Sequence, residues 1–143
     1  MKLSRRTTVT ATALTALTLG GTVAATAPAA AAPAAATAAY NGVCGPGYQV
    51  IDATPVGRVG TVYVTWNGST GKNCAVTIRN TPGAPVYMAV ELNALVGHET
   101  TPDRDNGQYT TYAGPVYVDG RGLCIEWGGV IGNAGGYDSG HCG

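Results

Sequence analysis

The stretch TVYVTWNGSTGKNCAVTIR, Thr61–Arg79, constrains the fold more than any other part of the chain. Val62, Val64 and Trp66 alternate with Thr61, Tyr63 and Thr65. Beyond an Asn/Gly/Ser turn, Cys74, Val76 and Ile78 alternate with Ala75, Thr77 and Arg79. An apolar period of two on both sides of a turn is the pattern of a β-hairpin that buries one face. On this reading the other face, carrying Tyr63, Thr65 and Thr77, is nearly uncharged and looks outward.

The rest of the chain is cut into similar short pieces. Twenty of the 22 glycines lie beyond residue 40, a density of breaks that suits short strands better than helices. GYQVIDATPVG supplies a strand before the hairpin. NTPGAP then turns the chain into VYMAVEL, where Val86, Met88, Val90 and Leu92 alternate. Met88, Leu92 and Leu95 also fit a helix, but the flanking prolines and the strand-rich context favour a strand. Residues 93–107 read as a long polar loop. QYTTYAGPVYV resumes the alternation, with Gly114-Pro115 at a bend or sheet edge, and DGRG closes a hairpin onto LCIEWGG. The expectation is an all-β fold, a small antiparallel β-sandwich or barrel of about six short strands.

The N-terminus reads as an export leader. Lys2, Arg5 and Arg6 precede a weakly apolar run from Val9 to Ala25 and then an Ala/Pro stretch with small-x-small sites, the order of a secretory signal peptide. Residues 1–39 are assigned to it, with cleavage near 32–39, and 40–143 to a single small domain. The run is too short and too rich in threonine for a membrane span, which needs about 20 mainly apolar residues, so no transmembrane span is expected in the mature form. Ser4-Arg5-Arg6 hints at twin-arginine export, but Thr8 stands where that signal favours a large apolar residue.

From Tyr40 onward five basic side chains face eight acidic ones, a net charge of −3. There is no basic patch to neutralise phosphates, which argues against nucleic acid as a partner. A domain of this size is marginal on packing alone, and four cysteines, Cys44, Cys74, Cys124 and Cys142, are the expected remedy in an exported chain. Without a C-x-x-C or His-spaced pair, two disulfides are a better reading than a thiolate metal site. Cys44–Cys74 with Cys124–Cys142 closes moderate loops and is preferred; Cys44–Cys142 with Cys74–Cys124 is the rival.

No motif announces a chemistry. The closing GGYDSGHCG holds Asp138, Ser139 and His141, the residue types of a hydrolase triad, but three nearly consecutive side chains diverge rather than converge. The better reading is a tail stapled by Cys142; a small hydrolase using Ser139 or His98 with His141 is the weakest function reading. DRDNG, Asp103–Gly107, resembles the start of a calcium loop, yet its glycine falls at position 5 instead of 6, and position 12, which requires a glutamate, is Gly114. Asn67-Gly68-Ser69 matches a glycosylation acceptor and equally a hairpin turn. Glu126 could pair with Asp52 or Glu91 as glycosidase carboxylates, but no spacing fixes their separation. No catalytic, cofactor-binding or metal-ligating residue is therefore expected, and no cofactor. What stands out is eight tyrosines and two tryptophans with no phenylalanine: every ring carries a polar atom and suits a half-exposed position. A contact face of Tyr63, Thr65, Thr77 and Tyr109 follows as the candidate surface.

YNGVCGPGY, GTVYVTWNGSTGKNCAVTIRNTPG, GQYTTYAGPVYV, LCIEWGG and the closing HCG together resemble the spore-associated protein A family of sporulating actinomycetes. The resemblance runs through most of Tyr40–Gly143, includes all four cysteines and leaves out residues 93–105. It implies a small secreted protein found with the spore surface or aerial growth, with no assigned enzymatic activity and no catalytic residues to carry over. The expected function is a spore- or cell-surface structural or interaction protein whose partner is the spore surface or a cell-wall polymer. A soluble carbohydrate- or protein-binding module is the alternative.

Overall fold

The computed structural model describes residues 37–96 and 99–143. Residues 1–36, which hold most of the expected leader, and His98 lie outside the described residues. Eight strands form: β1 (Gln49–Val56), β2 (Gly60–Asn67), β3 (Lys72–Arg79), β4 (Val86–Val96), β5 (Glu99–Tyr109), β6 (Tyr112–Asp119), β7 (Cys124–Ile131) and β8 (Ala134–Gly140). They make two four-stranded antiparallel sheets, β1-β2-β3-β6 and β5-β4-β7-β8. Among the described residues there is no helix, so none is long and apolar enough to cross a membrane.

The all-β sandwich is as expected, with eight strands in place of about six. The two additional strands are the polar ones. Residues 93–107, expected as a loop, continue β4 and return as β5, paired from Val86↔Tyr109 to Val96↔Glu99. The Gly-rich tail is β8, paired along β7. DGRG does not close a hairpin: β6 and β7 lie in different sheets, and the turn carries the chain across the sandwich.

Met88, Val90, Leu92 and Ala94 of β4 pack with Val62, Val64, Ala75, Val116, Ile125 and Trp127 in the core. The sheets approach closely because Gly129 faces inward, where a Cβ would meet Thr77 Oγ1 and Val62 Cγ2.

The outward face of the first sheet is covered. The turn of four residues, Gly68–Gly71, sets a register in which Val62 lies opposite Thr77 and Tyr63 opposite Val76. Cross-strand partners share a face, so Thr77 points into the core while Cys74, Val76 and Ile78 point the other way with Thr65. Residues 37–48 lie over that outer face as a strap. Cys44 is disulfide-bonded to Cys74, and the Tyr117 hydroxyl donates to the Cys44 carbonyl at 3.2 Å. The Tyr63 hydroxyl donates to the Ala38 carbonyl at 2.7 Å, and the Tyr63 ring lies 5.8 Å from that of Tyr40. The second disulfide is Cys124–Cys142, so the preferred pairing is the one formed.

Both flanks of the sandwich are closed. On one side, inward-facing carboxylates of β5 cap backbone donors of the edge strand β6. Asp105 accepts from the Gly114 amide at 2.7 Å and from the Tyr109 hydroxyl at 2.6 Å, and Asp103 accepts from the Tyr117 amide at 2.8 Å. On the other side, Trp127 Nε1 donates to Thr54 Oγ1 at 2.7 Å, and a Cβ at Gly136 would meet the Pro55 carbonyl.

The capped tyrosine carries a pH dependence. The hydrogen bond to Asp105, then burial, then the Asp105 charge hold the Tyr109 phenol above its ordinary value; burial first, and then Tyr48 and Tyr40, raise Tyr117. A raised phenol in the folded state favours the protonated form, so its contribution is complete below the unfolded value of about 10 and is lost as pH climbs through the higher folded value. Stability is expected to be insensitive to these groups up to about pH 10 and to fall above it. Denaturant midpoints measured along an alkaline series check this, with Tyr109→Phe reducing the fall; an unchanged slope in that variant counts against the Asp105 contact as its source.

Candidate functional site: the open face of the second sheet

The four residues expected to form one contact face are dispersed. Thr65 and Thr77 are both 0% exposed. Thr65 lies under the strap and donates to the Cys74 carbonyl at 3.1 Å, and Thr77 sits between the sheets. Tyr63 is half-buried with its hydroxyl taken by Ala38. Tyr109 is on the inner face of β5 against Asp105. That face is not available as an outward surface, because the register turns Thr77 inward and the strap covers the rest.

The triad residue types do not converge. Ser139 pairs across the ladder with Glu126, on the outer face, while Asp138 pairs with Trp127, whose side chain points inward. The His141 ring turns away to Asp52, 3.1 Å from its Oδ2, and stacks obliquely on Trp127 at 5.6 Å between centroids. The DRDNG segment is part of β5, with Asp103 and Asp105 engaged by backbone amides. Among the described residues no group of three His, Cys, Asp or Glu side chains is placed to hold a metal. Asn67 is buried, accepts from the Ser69 and Thr70 amides and donates to the Pro46 carbonyl, which accounts for it as the residue that shapes the turn.

What is left open is the outer face of β5-β4-β7-β8. Strand alternation brings Glu91 and Asn93 of β4, Glu126 and Gly128 of β7, and Tyr137 and Ser139 of β8 to one side. These residues line a cleft of about 460 Å3; a smaller neighbouring pocket of about 110 Å3 shares Glu91, Gly128 and Tyr137 with it and reaches Tyr87, Arg104 and Asn106. Asn93 Nδ2 donates to Glu91 Oε1 at 3.2 Å, and Arg104 reaches Glu91 Oε2 at 3.4 Å. Asn93 Oδ1 is buried with no donor. Glu126 and Glu91, one of the carboxylate pairings weighed from the sequence, thus share this cleft; Asp52 is elsewhere, with His141. Tyr137 and Asn93 were not foreseen. The signal for Tyr137 was a tyrosine set among glycines on a segment able to pair, and Asn93 had none while residues 93–107 read as a loop.

The chain is 58% identical over 98 residues to Spore-associated protein A of Streptomyces coelicolor. It belongs to the spore-associated protein A family. The match takes in 68% of this chain and 62% of that protein, so the chain spans less than two-thirds of the relative's length. No family model matches the chain, and no solved structure matches it significantly. Family membership agrees with the resemblance carried by the cysteine-bearing segments, and it brings no residue roles for the cleft.

Proposed function

We propose that this chain is an exported protein of the spore or cell surface, with a structural or binding role and no catalytic step. Its 58% identity to a protein named for its association with spores carries this reading. Two disulfides in a small β domain support it, since such bonds persist in oxidising surroundings outside the cell. On this reading residues 1–39 contain an export leader cut near 32–39, on the N-terminal side of the Ala38 carbonyl that Tyr63 holds, and 40–143 carry the working domain. The partner is a polymer of the wall or spore surface. Contact runs through the open face of the second sheet rather than the strapped face of the first, because Tyr137 and Tyr87 are exposed there at 70% and 45%, and exposed rings gathered on one face mark an interaction surface.

Fractionation of sporulating cultures, followed with an antibody to the domain, tests the reading. The protein is expected to sediment with washed spores or walls; recovery entirely as free protein in the medium would refute it.

A further inference from the structure

The centre of the open face is a tyrosine ring lying down on bare backbone. Tyr137 stands across the ladder from Gly128 and two residues after Gly135. A Cβ at Gly128 would collide with the ring, and one at Gly135 would lie 3.2 Å from its Cε2. Two glycines therefore let the ring rest along the sheet instead of standing off it, and the side turned away from the sheet meets water. A flat, wet aromatic face offers apolar contact to an equally flat partner without any rearrangement.

The surroundings of the ring ask for hydrogen-bond donors. Glu91 and Glu126 accept only when ionised. Asn93 gives one Nδ2 hydrogen to Glu91, and its Oδ1 is buried beneath the cleft floor. Arg104, the cation beside them, is drawn to Glu91. A polymer bearing phosphate or carboxylate would meet like charge here, whereas one bearing hydroxyl and ammonium groups would meet complementary acceptors. The cleft volume of about 460 Å3 falls within the roughly 300–1,000 Å3 of small-ligand sites.

We propose that this cleft binds a glycan chain carrying free amines, of the polyglucosamine type. One sugar ring stacks its C–H face on Tyr137 while hydroxyl and ammonium groups donate to the exposed carboxylates of Glu126 and Glu91. This names the chemistry of the surface partner and rests on the surface reading only for where that polymer is met.

The test is retention of the full exported protein on immobilised chitosan fragments, compared with fully N-acetylated fragments of the same length. Preferential binding to the free-amine polymer is expected, weakening as salt rises. Tyr137→Ala should lower affinity by about tenfold or more, and Glu126→Gln by about three- to tenfold. Neither should shift the thermal midpoint appreciably, because both side chains are exposed. Equal binding to the two polymers, no binding to either, or full retention of Tyr137→Ala overturns the proposal. The surface reading fails separately. A Tyr137→Ala protein that stays on spores, together with native protein that ignores chitosan, refutes the cleft alone; a protein free in the medium that still binds chitosan refutes spore association alone.

Discussion

Replacing Cys44 and Cys74 together by alanine is expected to destabilise the domain by about 3–4 kcal/mol, a fall in thermal midpoint of roughly 15–25 °C for a domain of this size. The bond closes a separation of 30 residues, and chain-entropy arguments give a crosslink of that span a contribution near the upper part of the usual range. Its loss also frees the strap, whose remaining ties are a few hydrogen bonds and ring contacts, and wets a face on which Val76 and Thr65 are now fully buried. The matching pair Cys124→Ala with Cys142→Ala opens a separation of only 18 residues and pins only the last few residues beyond β8, so the smaller loss is expected there. Urea unfolding of the non-reduced variants, followed by circular dichroism, measures both. A loss below about 1 kcal/mol for the first pair would show that the strap adds little to the fold.

The second large effect is at Trp127. Its side chain is 3% exposed and is the polar link across one flank, donating to Thr54 Oγ1 on β1. Trp127→Ala removes the largest ring from a tightly packed core and is expected to cost about 3–5 kcal/mol. Trp127→Phe keeps most of the volume but leaves the buried Thr54 hydroxyl without its donor, at about 1–3 kcal/mol. Adding Thr54→Val to Trp127→Phe should recover part of that smaller loss, since removing both polar partners avoids an orphaned group. Equilibrium unfolding of the two single variants and the double variant closes the cycle. An additive result would show that the hydrogen bond is not what couples them.

How much of this was legible depended on where apolar residues carry the pattern. The hairpin of β2 and β3 was plain because valine and isoleucine recur at every second position, and the class of fold followed from it. β5 was hidden because its inward positions are Asp103, Asp105, Gly107 and Tyr109, which bury polar groups against β6 in place of hydrocarbon. Hydropathy reads such a strand as a loop. β8 was hidden in the same way by glycines that exist to let Tyr137 and the Pro55 backbone come close. The contact face was misplaced by register. Each strand's alternation is visible in the sequence, but which faces coincide across a turn depends on the turn's geometry, and a shift of one residue exchanges the two sides. DGRG failed for a related reason: a tight turn has the same local chemistry whether the chain folds back within its sheet or passes to the other. The cleft needed all of these at once, since its residues come from three strands that the ladder pairings bring together.

The carboxylates that Asp103 and Asp105 set against the amides of β6 bear on how such a protein behaves when crowded. A strand whose outermost donors are already engaged gives a neighbouring molecule no rail to zip onto. Two copies meeting along β6 would find the Gly114 and Tyr117 amides already taken, so growth of the first sheet past that edge is disfavoured.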